Sequence, residues 1–215
     1  MQDTSDTAFP AGRHSNGAML DTVDGGAAWN QRRLQVVDAC AAVLANEGFE
    51  RTRTVDLCQA THLEEPTLLS YVESKQALLL AIHGRLVEEL VWTAAPICEA
   101  DASPPDQLEQ LGRQYAEVLV RFDHHLRVVI HSYAVLVAVQ PERLVARRTA
   151  LEAAVGAIIE AGIESGDFRD LDVTTSVRAW LGLLLASSQI AAGRPPLPRS
   201  RTAIVEDIFI RGVRA

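Results

Sequence analysis

The sequence predicts an all-α protein of about nine helices. From Trp29 onward, apolar residues recur at the three- and four-residue spacing of a helix face, and no stretch alternates with period two over more than a few residues. Glycine and proline fall between the apolar runs, where helices are expected to end. The 215 residues are 48% hydrophobic and 22% charged, which provides a sizeable core and excludes wholesale disorder.

The first half of the chain predicts three shorter helices and then a long one. The first ends at Gly48, a common stop signal. Short helices follow at about 54–61 and 66–72, and the second opens with Pro66, which suits a first helical turn because no backbone N–H is needed there. Ser74 is a good cap for the long fourth helix. Three short helices before a capped long one are typical of a helix-turn-helix arrangement.

The second half predicts about five more helices. Their apolar stripes are Leu108, Leu111, Tyr115, Val118 and Phe122; Leu126, Val129, Ile130 and Tyr133; Leu151, Val155, Ile158 and Ile159; and Val177, Trp180, Leu181, Leu184 and Leu185. The second stripe runs up to Pro141, and the third closes around Gly162 and Gly166. Three prolines after Gly193 then separate a last helix near 204–213. The predicted organisation is a disordered tail over 1–28, a helix-turn-helix domain over 29–80 and a second helical domain over 81–215.

Composition narrows the class of protein further. The net charge of −8 and pI near 5.2 are not those of a typical nucleic-acid-binding domain. Three widely spaced cysteines predict reduced thiols in the cytoplasm rather than disulfides or a zinc site. The apolar runs are shorter than the roughly 18 residues of a membrane helix, and no secretory h-region precedes them. We therefore expect a soluble cytoplasmic protein without a membrane partner.

The helix-turn-helix region resembles the TetR-type transcriptional regulators. The resemblance rests on Ala39, Ala42, Gly48–Phe49, Thr52, Leu57, Ala60, Leu63, Thr67, Leu68, the pair Ser74–Lys75, and Leu78. Residues 161–169, reading AGIESGDFR, look like the turn before the family's penultimate helix. The specific motifs cover about fifty residues, and the rest of the chain agrees in helix count and length.

The resemblance implies a ligand-responsive regulator, a repressor, in a bacterial cytoplasm. It implies a homodimer that inserts two recognition helices into the major grooves of a pseudo-palindromic DNA operator, with half-sites about 34–36 Å apart. It also implies that the helices after Leu86 form a ligand-binding and dimerisation domain. A small-molecule effector bound there would release the DNA by changing the spacing of the recognition helices. Neither a cofactor nor a metal is expected.

Three sets of site residues follow from the resemblance and from position. The expected DNA-binding residues are Arg32, Arg33, Thr52, Arg53, Glu65, Thr67, Ser70, Tyr71 and Lys75. Trp92, Tyr115, Phe122, His131 and Tyr133 are expected to line the ligand site, although each could equally fill the core. The expected dimer interface holds Trp180, Leu181, Leu184 and Leu185.

The chain departs from the family at the tip of the helix-turn-helix. His62 replaces the usual turn glycine, and Glu64 and Glu65 replace a Ser or Thr cap with a small or basic residue. Five cations against seven carboxylates leave residues 29–80 with a net charge of −2. Either one of these glutamates reads a cytosine amino group, which is an accepted pairing, or the fold binds a small molecule or a protein without touching DNA.

An enzyme is the remote alternative. His124 and His131 are seven residues apart, with Glu117 seven residues upstream, and such a set could serve as a metal or general-base site. The sequence has no HExxH, GxSxG, GxGxxG or GxxxxGK[ST] motif to support catalysis. We therefore expect a protein that is not an enzyme.

Overall fold

The computed structural model describes residues 26–139, 141–188 and 209–214. In that part of the chain nine named helices account for nearly all of the structure: α1 (Ala27–Glu47), α2 (Thr54–Thr61), α3 (Glu65–Val72), α4 (Lys75–Cys98), α5 (Pro104–Arg121), α6 (Asp123–His131), α7 (Tyr133–Val139), α8 (Pro141–Ser165) and α9 (Val173–Ser188). Of the last predicted helix, near 204–213, residues 209–213 are described and are helical, and an isolated antiparallel bridge joins Phe168 to Arg214. The predicted all-α class is confirmed, whereas most of the predicted tail lies outside the described residues.

Local chemistry sets the ends of the first four helices. Gly48 ends α1 with a positive φ of 85°, and His62 ends α2 in the left-handed region at φ 54° and ψ 38°. Histidine tolerates this conformation better than a β-branched residue does. The Ser74 hydroxyl accepts a hydrogen bond from the Ala77 amide at 3.1 Å and so caps α4.

One predicted helix in the second half is corrected, and the end of another is refined. The stripe through Leu126 and Tyr133 is divided between α6 and α7, which meet at Ser132. Helix α8 ends at Ser165, and Gly166, at φ 81°, follows it. Gly162 lies within α8 and serves packing, since a Cβ there would lie 2.1 Å from a ring carbon of Phe168.

The buried apolar residues form two cores that divide along α4. The N-terminal core reaches Ile82, and the C-terminal core begins at Leu86. Helices α6 and α7 join the two, because Val128 and Leu136 pack into the N-terminal core while Leu126 packs into the C-terminal one. A change around the C-terminal core therefore has a packed route to the N-terminal core besides α4 itself.

Within the described residues, no helix is both long and apolar enough to cross a bilayer.

Candidate nucleic-acid interface and ligand cavity

Helix α3 has one buried side and one outward side. Leu68 and Val72 are buried in the N-terminal core, whereas Glu65, Thr67 and Ser70 are exposed. Because α2 and α3 meet at the tight turn of His62, α3 lies on the outside of the small domain. This is the arrangement in which a second helix can enter a DNA groove.

Two of the expected DNA contacts hold α3 in place. The Arg33 Nε donates a hydrogen bond to the Tyr71 carbonyl oxygen at 2.8 Å, which ties α1 to α3. The Tyr71 ring stacks on Trp29, with ring centroids 4.2 Å apart. Both residues are partly buried, so they also serve to orient the outward face of α3.

The other expected DNA contacts lie in different environments. Arg32 is exposed and donates to the Gln35 side chain at 3.2 Å. Lys75, the first residue of α4, places its Nζ 4.5 Å from the centre of the Phe49 ring. Thr52 is only 3% exposed, and its hydroxyl donates to the Gly48 carbonyl oxygen at 2.8 Å. The structure thus corrects the assignment of Thr52, which packs inside the turn rather than on the surface.

The start of α2 is held by an ion pair at the surface. The Arg53 guanidinium lies 3.0 Å from the Asp56 carboxylate, which also accepts from the Arg53 amide at 2.8 Å. These hydrogen bonds hold the pKa of Asp56 below its ordinary value. Arg53 therefore shares its charge with Asp56 and adds little net positive potential to this face.

A cavity of about 230 Å³ lies between α4, α7 and α8. It is lined by His83, Val87, Tyr133, Val137, Val145, Arg148 and Leu151. Tyr133 alone of the five expected ligand residues lines it. Sequence reasoning missed His83 and Arg148, because the first lies within an apolar stretch of α4 and the second resembles a solvated helix face.

The remaining expected ligand residues lie in different surroundings. Tyr115 is 1% exposed and fills the C-terminal core, which corrects its assignment to a ligand site. Phe122 is 7% exposed and packs in the same core, but it also lines the second cleft described below. Burial also raises the pKa of the Tyr115 hydroxyl. Trp92 and His131 are exposed and do not line this cavity.

A second, charged cleft of about 360 Å³ lies where α1 meets α4, α5 and α6. The His125 Nε2 lies 3.0 Å from an Asp38 carboxylate oxygen, and Arg85 approaches the same oxygen at 3.8 Å. His125 is 5% exposed, and its ring meets Phe122 edge-on. This contact links the two domains through a side chain that the sequence does not single out from its neighbour His124.

The expected dimer residues divide into two groups. Trp180 and Leu184 are 1% and 2% exposed, and the Trp180 ring lies 5.7 Å from that of Tyr115. They therefore fill the core of their own chain, which corrects their assignment to a subunit interface. Leu185 is 43% exposed and Leu181 is partly buried, so α9 still presents apolar surface outward.

The histidines and cysteines form no metal site within the described part of the chain, where no group of three suitable ligands occurs. His124 lies on α6 beside Arg127, with 2.8 Å between Nδ1 and Nη2, while Glu117 belongs to the preceding helix. Burial raises the pKa of the Cys40 thiol to about 12, which makes that thiol unreactive at neutral pH.

Comparison with known proteins identifies the fold. Residues 101–189 match the family model of the tetracyclin repressor-like C-terminal domain. The TetR family transcriptional regulator PfmR from Thermus thermophilus is similar over 84% of this chain and 100% of its own, with a TM-score of 0.75 and 24% identity. The ketosteroid transcriptional regulator KstR2 of Mycobacterium tuberculosis has a TM-score of 0.70 and 20% identity, covering 86% of this chain and 95% of that one.

A third similar structure contains both a small molecule and DNA. AibR in complex with isovaleryl coenzyme A and operator DNA has a TM-score of 0.68 and 17% identity, over 85% of this chain and 98% of its own. A search among curated protein sequences found no match.

Proposed function

We propose that this chain, a member of the TetR family, is a DNA-binding transcriptional repressor that acts as a homodimer and is released by a small molecule. The observation that carries the proposal is the outward face of α3, where Glu65, Thr67 and Ser70 are exposed while Leu68 and Val72 fix the helix to the core. The match of residues 101–189 to the regulators' C-terminal domain supports it.

In this proposal the phosphate contacts come from cations around α3. Arg32 lies in the second turn of α1, Arg53 directly precedes α2, and Lys75 opens α4. Because Arg53 shares its charge with Asp56, Arg32 and Lys75 would make the stronger phosphate contacts. Phosphate contacts fix the register of a protein on DNA without reading its sequence. Base reading would then fall to the exposed residues of α3, and Glu65 is suited to a cytosine N4 amino group.

The effector would act through the C-terminal domain. The cavity between α4, α7 and α8 lies against α4, the helix that begins at Lys75. Helix α6 packs against α4 and contacts α1 through His125 and Asp38. A ligand that prefers one arrangement of these helices would change DNA affinity by a coupling free energy of about 1–3 kcal/mol.

The test is binding of the full-length protein to duplexes selected from a random pool, measured across a range of salt concentrations. Specific binding that weakens steeply with salt is expected. Lys75→Ala should weaken all duplexes alike and lower the salt slope by about one per half-site, whereas Arg113→Ala, an exposed arginine of α5, should not.

The electrostatics of α3 favour a second candidate function. The segment from Glu64 to Glu73 holds three carboxylates and no cation, which repels phosphate. If Glu64 and Glu65 only repel DNA, replacing both with Gln tightens binding to any duplex; if one reads a base, the replacement abolishes the sequence preference. Failure to bind any selected duplex at low salt would favour a module that binds a small molecule or protein without DNA.

A further inference from the structure

The cavity between α4, α7 and α8 has an aliphatic wall. Val87, Val137, Val145 and Leu151 provide it, and Val137 and Val145 are 42% and 60% exposed. Tyr133 beside them is 48% exposed. Three large apolar side chains left exposed around one opening favour an apolar ligand, since covering them removes hydrophobic surface from water.

The size of the cavity limits the ligand to a short chain. Its volume is about 230 Å³. This is smaller than the roughly 300–1,000 Å³ of pockets that hold drug-sized ligands. A short chain such as a six-carbon carboxylic acid therefore suits the cavity better than a steroid does.

Arg148 provides a guanidinium among the described side chains that line the cavity. The Arg148 Nε lies 3.0 Å from a Glu152 carboxylate oxygen, and the Arg178 Nε lies 3.9 Å from the same oxygen. One carboxylate thus stands between two guanidiniums. Arg148 is itself half-exposed and lines the cavity, so a carboxylate bound in the cavity can reach its guanidinium, a group that binds carboxylates well.

From these observations we propose that the cavity binds a short aliphatic carboxylate, with the chain against the valines and the carboxylate at Arg148. The inference rests on the ligand-responsive function proposed above and names the class of effector. His83, 8% exposed on α4, lines the same cavity, so the bound chain would contact the helix that leads to Lys75.

The test compares hexanoate with hexanamide on the full-length protein at pH 7.5, by calorimetry and by thermal unfolding. The two probes have nearly the same shape, but only hexanoate is charged at this pH. Hexanoate should bind at least about tenfold more tightly than hexanamide, because only the acid forms a charge-assisted pair with Arg148. Equal binding of both probes, or binding of neither, would overturn the proposal.

Two substitutions with opposite effects make the assignment to Arg148 specific. Arg148→Gln should weaken hexanoate about tenfold and leave hexanamide unchanged, whereas Glu152→Gln should tighten hexanoate because it removes the competing carboxylate. Arg113→Gln is the matched control, since Arg113 pairs with Glu109 at 2.7 Å across one helical turn and lies outside the cavity. An equal loss in Arg113→Gln would contradict the site.

DNA binding is measured separately on the same protein, so the two proposals can fail independently. If the protein binds selected DNA but neither binds hexanoate nor responds to it, the proposed ligand class is overturned while the proposed DNA-binding function stands. Hexanoate bound at Arg148 without DNA binding supports the ligand class and contradicts the DNA-binding function.

Discussion

Glu73 has the least favourable backbone conformation among the described non-glycine residues. It ends α3 at φ 60° and ψ −56°, where a Cβ is disfavoured and glycine is not. We expect Glu73→Gly to raise the free energy of unfolding by about 0.5–1 kcal/mol, since relief of strain exceeds the added freedom of the unfolded chain. Urea unfolding of the two proteins measures the difference.

Glu73→Ala separates backbone strain from charge. It removes the carboxylate near Glu64 and Glu65 in sequence but keeps the Cβ, so no comparable gain in stability is expected. If alanine stabilises as much as glycine, repulsion between carboxylates is the cause and the strain argument is wrong.

Asp56 gives a residue-level prediction on pH. Its pKa is lowered in the folded state by hydrogen bonds from Arg53, so its contribution to stability is present above the unfolded pKa of about 3.9 and is lost as pH falls through the folded value. Asp56→Asn should therefore unfold at lower urea than the wild type at pH 6. The difference should shrink below pH 4, and a constant difference would contradict the linkage.

Sequence reasoning works best at this scale where the cause is local. The cap at Ser74 was predicted because it depends on a few adjacent residues. Thr52 was placed on the surface by its resemblance to the family, yet it is buried by the fold of the turn. Its burial depends on tertiary packing, which a single sequence does not specify.

Among the helices, two glycines with different surroundings test the packing of α8. A Cβ on Gly162 would lie 2.1 Å from the Phe168 ring, whereas a Cβ on Gly182 of α9 would meet nothing within 4 Å. Gly162→Ala should cost about 1–3 kcal/mol of stability because the ring must move. Gly182→Ala should gain about 0.5–1 kcal/mol through helix propensity. Equal effects in thermal unfolding would contradict the close contact.

The link between α1 and α6 is tested by a double-mutant cycle. Asp38 and His125 are in contact at 3.0 Å, with His125 buried between the domains. We expect Asp38→Ala to destabilise by about 1 kcal/mol, because it removes the carboxylate that lies against the buried His125 ring and the Arg85 guanidinium. The coupling energy with His125→Ala in urea unfolding should be about 1 kcal/mol.

The exposed pair Glu109 and Arg113 on α5 is the control for this cycle. It is a surface ion pair, for which a coupling energy of about 0.5 kcal/mol or less is expected. A coupling at Asp38 and His125 no larger than this would show that the link between the domains contributes nothing beyond an ordinary surface pair.

The helices themselves were largely predictable, and their junctions less so. Helix α2 has the predicted bounds of about 54–61. The break between α6 and α7 was missed because the apolar pattern continues across Ser132. At this junction the apolar residues differ in the core into which they pack. That choice depends on helices that are distant in sequence.

For the whole molecule, the sequence predicts that α9 is apolar but not what each apolar side chain contacts. Trp180 and Leu184 face the core of their own chain, and Leu185 faces outward. Intrachain core and subunit interface use the same residue types, so composition cannot separate them. The structure separates them, because Trp180 is buried within its own chain and therefore belongs to the core of the fold.

This distinction predicts opposite effects for two substitutions in α9. Leu185→Arg should leave the unfolding transition of the chain almost unchanged but abolish the dimer at micromolar concentration in sedimentation, because it places a charge in the proposed interface. It should also weaken binding to a palindromic duplex, since two linked half-site contacts become single ones. Trp180→Ala should instead lower the stability of the fold by about 3–5 kcal/mol.

The control for Leu185→Arg is Val120→Arg, which adds the same charge at a 59% exposed position of α5. It should remain dimeric and bind DNA as the wild type does. If Leu185→Arg also remains dimeric, the interface does not include the outward face of α9. The half-site spacing expected from the family would then have to arise from a different pairing of subunits, because the separation of the recognition helices follows from the surface that joins them.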